Sequence, residues 1–206
     1  HRLEREGLWW SATGTPADCV KLGVNLLFSE KPSLLISGIN LGANVGAAIV
    51  YSGTVSAASE GTMLGIPSIA ISLGDTQNPD FSVPAEVIKE IARIMMYQKL
   101  PEKVFLNVNV PPIPIDKIKG IKITRQGKAY FADGFQRRLD PGGTEYYWMT
   151  GPMVKLEEGK DIDYNALEQG YISVTPLIYD FTAYPYMEFI EKWEINLKGV
   201  LRDATG

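Results

Sequence analysis

Two short stretches carry residue types suited to phosphate chemistry. Ser52-Gly53-Thr54 directly precedes an alanine-rich segment that reads as a helix from about Thr54 to Leu64. The first turn of a helix has unpaired backbone N–H groups and partial positive charge, and a glycine there lets an anion approach the backbone closely. The two hydroxyls add donors. This is a phosphate cradle in kind, without the lysine of a Walker loop. Ordinary Ser/Thr capping with a glycine for packing accounts for the same residues equally well. Upstream, Ser37-Gly38-Ile39-Asn40 follows the apolar run Leu34-Leu35-Ile36. In open α/β sheets, ligands bind beyond the carboxyl ends of the strands. The amide oxygen of Asn40 at such an end suits a hard cation such as Mg²⁺, Mn²⁺ or Ca²⁺. Asn40 and Asn44 also fit as turn residues that tolerate left-handed backbone.

Other polar residues have plainer readings. Thr13-Gly14-Thr15 repeats the Ser/Thr-Gly device, and capping is the favoured account there. Asn107 and Asn109 flank Val108 in an apolar strand, and the alternation places both on one side, facing away from the core towards neighbouring loops. Asp161 and Asp163 read as a solvated helix start. Arg125, Arg137 and Arg138 read as surface charges on a hairpin, although they could attract an anionic substrate. His1 is the sole histidine, which argues against a His-based triad or a His-rich zinc site.

Composition sets wider bounds. The chain has 206 residues, a net charge of −4 and a pI near 5.1. This is the wrong balance for a general nucleic-acid binder. An acidic protein that handles phosphate must meet it with backbone N–H groups, helix N-termini or a metal. The single cysteine, Cys19, permits no internal disulfide and fits a reducing compartment, the cytoplasm. No apolar run approaches the roughly 18 residues that span a bilayer, so no membrane association is expected. The chain begins at His1 rather than methionine, which reads as a fragment or a processed product.

The elements that must position these residues alternate along residues 1–115. Thr15-Pro16-Ala17-Asp18 predicts a helix start, with Thr15 as N-cap and Val20, Val24 and Leu27 on the inner face. Strands are predicted at Leu34–Ile36, Ser68–Ser72 and Phe105–Val110. A third helix over Pro84–Tyr97 carries Val87, Ile91, Ile94 and Met95 at helical spacing. The alternation implies a three-layer, doubly wound and mostly parallel α/β sheet. Residues 116–182 read as a hairpin excursion plus the remainder of the core. Ile121–Thr124 and Tyr146–Met149 are its arms, and Asp140-Pro141-Gly142-Gly143 supplies a turn. Asp163–Gln169 reads as a short helix, and residues 183–206, with Met187, Phe189, Ile190, Trp193 and Leu197, as a docking segment.

Several of these stretches together resemble the SurE (stationary-phase survival protein) nucleotidase family. Thr13-Gly14-Thr15-Pro16-Ala17-Asp18-Cys19-Val20 is similar to the family's TGTPADCV segment. Ser37-Gly38-Ile39-Asn40, with Gly42 and Asn44, resembles its SGxNxGxN loop. Tyr51-Ser52-Gly53-Thr54-Val55, Glu60-Gly61 and Gly65-Ile66-Pro67 follow in family order, as do Asn107-Val108-Asn109-Val110-Pro111 and Gly170-Tyr171-Ile172-Ser173-Val174-Thr175-Pro176-Leu177. The resemblance implies a metal-dependent phosphatase of nucleoside 5′- and 3′-monophosphates, active on short polyphosphate in some members. It implies Asn40 as a ligand to one Mg²⁺ or Mn²⁺ per subunit. It implies Asn44, Ser52, Gly53 and Thr54 at the substrate phosphate, and a homodimer or homotetramer with an exchanged C-terminal segment. Two departures stand out. The family's Asp-Asp strand end, which supplies the metal carboxylates, is expected in an N-terminal unit outside this sequence. Asp180 matches a C-terminal aspartate with a weak catalytic claim, but Tyr184 stands where some members have histidine. A catalytically incomplete nucleotide-binding or assembly module is the alternative.

Overall fold

The computed structural model describes residues 1–74, 77–132 and 134–193. An N-terminal hairpin pairs β1 (Leu3–Glu6) with β2 (Trp9–Ala12). Its residues carry no core-facing alternation, and Leu8 and Trp9 are exposed. Helix α1 (Pro16–Leu22) then starts as predicted. Thr15 Oγ1 accepts from the Asp18 N–H at 3.2 Å, and the Thr15 N–H donates to Asp18 Oδ2 at 2.8 Å. A wider π turn over Gly23–Leu27 continues it. Val20, Val24 and Leu27 are only half-buried, because no element among the described residues closes over that flank.

Five strands form the central sheet. Strands β3 (Leu35–Leu41), β4 (Ser68–Leu73) and β5 (Val104–Val110) run parallel, in that spatial order. Further along the chain come β6 (Ile121–Ile123), β7 (Ala129–Phe131), β8 (Gly134–Leu139), β9 (Glu145–Thr150), β10 (Met153–Lys155) and β11 (Ile172–Ile178). β11 pairs antiparallel with β5 and parallel with β6, completing the order β3-β4-β5-β11-β6. β3 runs further than its apolar run predicts, since β4 offers partners as far as Leu73. Its register slips between Ser37 and Asn40. Gly38, at φ +129°, allows this: a Cβ there would collide with the Ile71 carbonyl oxygen.

The two faces of the sheet differ. On one, Ile69, Ile71, Val108, Val110, Ile172 and Val174 pack against Ile88 and Met95 of α4 (Ser82–Met95). The helix turns Pro84, Ile88 and Met95 inward, so Ile94 stays exposed, contrary to the predicted stripe. The other face lies under a short helix, α2 (Ala48–Tyr51), and α3 (Gly53–Met63). There Ala70 and Phe105 meet Ile49, Val55 and Ala58. Small residues let α3 sit close. A Cβ on Gly61 would lie 2.5 Å from Ser68 Oγ and 2.9 Å from Leu35 Cδ1. Ser68 is fully buried and donates to the Ile66 carbonyl, so it cannot yield. Alanine gains about 1 kcal/mol over glycine in a helix interior, but overpacking typically costs about 1–3 kcal/mol. Gly61→Ala is therefore expected to lower stability, by up to about 2 kcal/mol in denaturant unfolding.

The excursion is one hairpin in two ladders, with different arms from those predicted. β8 pairs with β9 around the Asp140–Gly143 turn, and β7 pairs with β10 below them. Ile121–Ile123 belongs to the main sheet, because β11 offers it a parallel edge. Helix α5 (Asp163–Glu168) precedes β11, and α6 (Met187–Glu191) follows it. Leu197 lies outside the described residues. No helix among the described residues is long and apolar enough to cross a membrane.

Candidate phosphate and metal site

The chemistry-bearing residues gather at the carboxyl end of the parallel strands. Ser52 caps α3: its Oγ accepts from the Val55 N–H at 3.1 Å, leaving the hydroxyl proton free to donate elsewhere. Gly53 and Thr54 occupy the first turn, and the Thr54 hydroxyl bonds to no described residue. A Cβ on Gly53 would stand 3.0 Å from Pro16 Cγ, and Lys21 Nζ lies 3.4 Å from Glu60 Oε2. The helices α1 and α3 are thus side by side and parallel, with their N-termini together.

The two helix ends are not equivalent. In α1 the Asp18 carboxylate already bonds Thr15 at the N-terminus, and these bonds hold its carboxyl below the usual aspartate range. In α3 no acidic residue stands in the first turn. An anion would therefore find α1 occupied and α3 open.

Asn40 pairs with Ser72 near the end of β3. Its Nδ2 donates to the carbonyls of Gly42, at 2.8 Å, and Leu41, at 3.2 Å. These bonds fix the amide and leave Oδ1 without a partner among the described residues, as a metal ligand requires. One neutral oxygen fits a hard cation as a single ligand only. Among the described residues no group of three or more His, Cys, Asp or Glu is placed to hold a metal ion. Asn40 can hold one corner of such a site, and the carboxylates would have to come from elsewhere.

Asn44 is tied into the core of the sheet. It is buried, and its Nδ2 donates to Ser72 Oγ at 2.7 Å. That bond uses one of the two N–H groups of the side-chain amide. Asn44 therefore anchors the loop through its backbone and one amide N–H. Its partners are the residues that sequence reasoning placed away from the core. Asn107 and Asn109 are fully buried, and both Nδ2 groups donate to the Asn44 carbonyl, at 2.8 and 3.1 Å. Asn109 Oδ1 accepts from the Asn44 N–H at 2.8 Å. Period-two alternation correctly put both side chains on one face. The long-range cover by residues 43–49 was the part it could not show.

Asp163 is also buried, not solvated. Its carboxylate accepts from the N–H groups of Gly46 at 2.9 Å, Gly127 at 3.1 Å and Tyr164 at 2.8 Å. Burial pushes its carboxyl above the ordinary aspartate value, with the N–H donors pulling the other way. Arg125 is committed to Glu157 and Asp161. Arg137 pairs with Glu145, and Arg138 lies over the Trp148 ring. Asp180 does not join the cluster. β11 runs antiparallel to β5, so Asp180 follows the end that pairs with Val104, at the opposite end of the parallel strands. Hydrogen bonds from Thr182 and Tyr184 bring its carboxyl down to about 2.

The fold is that of an α/β protein of the doubly wound kind, with the open N-terminus of α3 and the Asn40 amide both at the carboxyl end of the parallel strands. Residues 2–133 match the family described as Survival protein SurE, and the chain belongs to that family. A 5′-nucleotidase SurE of Syntrophobacter fumaroxidans is 46% identical over 183 residues, covering 89% of this chain and 73% of the relative. One from Syntrophus aciditrophicus is 47% identical over 208 residues, covering 99% of this chain and 75% of the relative. The crystal structure of a SurE protein from Aquifex aeolicus superposes with a TM-score of 0.79 at 42% identity, covering 93% of this chain and 79% of that one.

Proposed function

We propose that the protein is a metal-dependent phosphatase of nucleoside 5′-monophosphates, with 3′-monophosphates and short polyphosphate as further substrates. The observation that carries this reading is the open N-terminus of α3. Ser52, Gly53 and Thr54 offer N–H and hydroxyl donors there, no acidic residue competes, and Asn40 presents a fixed oxygen at the same end of the sheet. The names of the relatives support the nucleotide substrate. A bound Mg²⁺ or Mn²⁺ would supply Lewis-acid polarisation and an activated water. This chain's own contribution is to seat the phosphoryl oxygens and stabilise their growing charge with donors already in place.

The test is release of inorganic phosphate from AMP by the full-length protein with Mn²⁺ or Mg²⁺. Activity should vanish with EDTA and return with metal. Nucleotide binding without phosphate release would favour a binding module. Thr54→Val keeps the side-chain shape and removes the hydroxyl. A hydrogen bond to a charged group contributes about 1.5–3 kcal/mol, so kcat/KM should fall about 10- to 150-fold. Parent kcat/KM in this variant would remove Thr54 from the phosphate.

The proposed assembly is a homodimer or homotetramer. Phe135, Tyr147, Trp148 and Met149 on the excursion and Phe189 and Trp193 in the C-terminal segment are all exposed. Apolar surface on this scale usually marks an interface.

A further inference from the structure

We propose that Asn107 and Asn109 are positioning residues that hold the segment between Asn40 and Ser52 in its working shape. The inference rests on reading those two ends as the metal and phosphate contacts. Three hydrogen bonds converge on Asn44: its carbonyl accepts from both amide groups and its N–H donates to Asn109 Oδ1. One residue of the loop is thereby tied to the central strand β5. Ser72, on the neighbouring strand β4, ties the same residue through its side chain.

Asn107 shows that this arrangement is not kept for stability alone. Its register neighbours are Ala70 on β4 and Thr175 on β11, in the middle of the sheet. It is fully buried, and its Oδ1 is left without a hydrogen-bond partner among the described residues. A buried orphan acceptor destabilises a fold, whereas an apolar side chain of similar shape at the same place would not. Local conflicts of this kind are expected where a site needs them. The gain from the asparagine is its Nδ2, and that group points to the loop. Small displacements of positioning segments are costly to catalysis, about 100-fold for 1 Å.

The test is Asn107→Leu in the full-length protein, assayed on AMP with Mn²⁺ and unfolded in parallel. The expected result is a thermal midpoint equal to or above the parent, with kcat/KM lower by about 10- to 100-fold. The loss should lie in kcat of fully folded protein. Parent kcat/KM in Asn107→Leu would overturn the proposal. So would an activity loss that merely follows the folded fraction, in both Asn107→Leu and the smaller Asn107→Ala. Asn40→Ala and Thr54→Val run alongside. If these too keep parent activity, the reading of the site itself fails. If they lose activity and Asn107→Leu does not, only the positioning role fails.

Discussion

Asn40→Ala in the full-length protein is expected to cut metal-dependent AMP hydrolysis by more than about 100-fold, because loss of a group that merely supports a metal ligand already costs about 10–100-fold. The Mn²⁺ concentration for half-maximal activity should rise with it. The structural ground is specific. Nδ2 of Asn40 is held by the Gly42 and Leu41 carbonyls, so the orientation of the amide, and with it Oδ1, is fixed. Asn40→Asp offers a sharper test. A carboxylate is a better ligand for a hard cation, but it cannot donate to those two carbonyls. If orientation dominates, the aspartate variant should fall well below the parent despite its charge. If ligand charge dominates, it should bind Mn²⁺ more tightly than the parent. Hydrolysis by Asn40→Ala at parent rates, with an unchanged metal requirement, would take Asn40 out of the metal site.

Much of this site was legible in the amino-acid order, for local reasons. A serine and a glycine before an alanine-rich run mark a helix start, and Ser52 is that cap. Thr15, Pro16 and Asp18 spell out the start of α1 in the same way. The rule that strand ends carry ligands picks out Asn40 as a candidate, although the strand itself runs on to Leu41. What was hidden depends on distant parts of the chain meeting. That α1 and α3 lie with their N-termini together follows from Pro16 meeting Gly53 and Lys21 meeting Glu60. Asn107, Asn109 and Asp163 are polar residues whose burial is decided by the loop at 43–49 and the segment at 125–129, not by their own neighbours. The arms of the excursion were mispaired for a related reason. Ile121–Ile123 and Tyr146–Met149 have equal strand character, and only the edge offered by β11 separates them.

Asp163→Ala is expected to be strongly destabilising. Asp163 joins three places: the site loop at Gly46, the base of the excursion at Gly127 and the first turn of α5 at Tyr164. Removing the carboxylate strands three buried N–H donors, each worth about 1–3 kcal/mol when left unpaired. The burial penalty of the charge disappears at the same time, which offsets part of that loss. A net loss of about 3–5 kcal/mol follows, within the range for breaking a buried charge network. Relaxation of the chain near Gly127 is limited, since a Cβ there would already collide with Tyr164. Asp163→Asn keeps an acceptor oxygen but turns an NH₂ towards a donor, so it should fall between parent and alanine. The pH dependence separates the charge from the acceptors. Burial raises the folded-state carboxyl above its ordinary value of 3.8. Its ionisation therefore opposes folding: the favourable contribution is complete below that value and is lost as pH rises through the folded value. The parent should lose this increment across that window, and Asp163→Asn should not. Denaturant unfolding of the three proteins across that pH range decides the matter, and an alanine variant within about 1 kcal/mol of the parent would show that Asp163 does not hold these segments together.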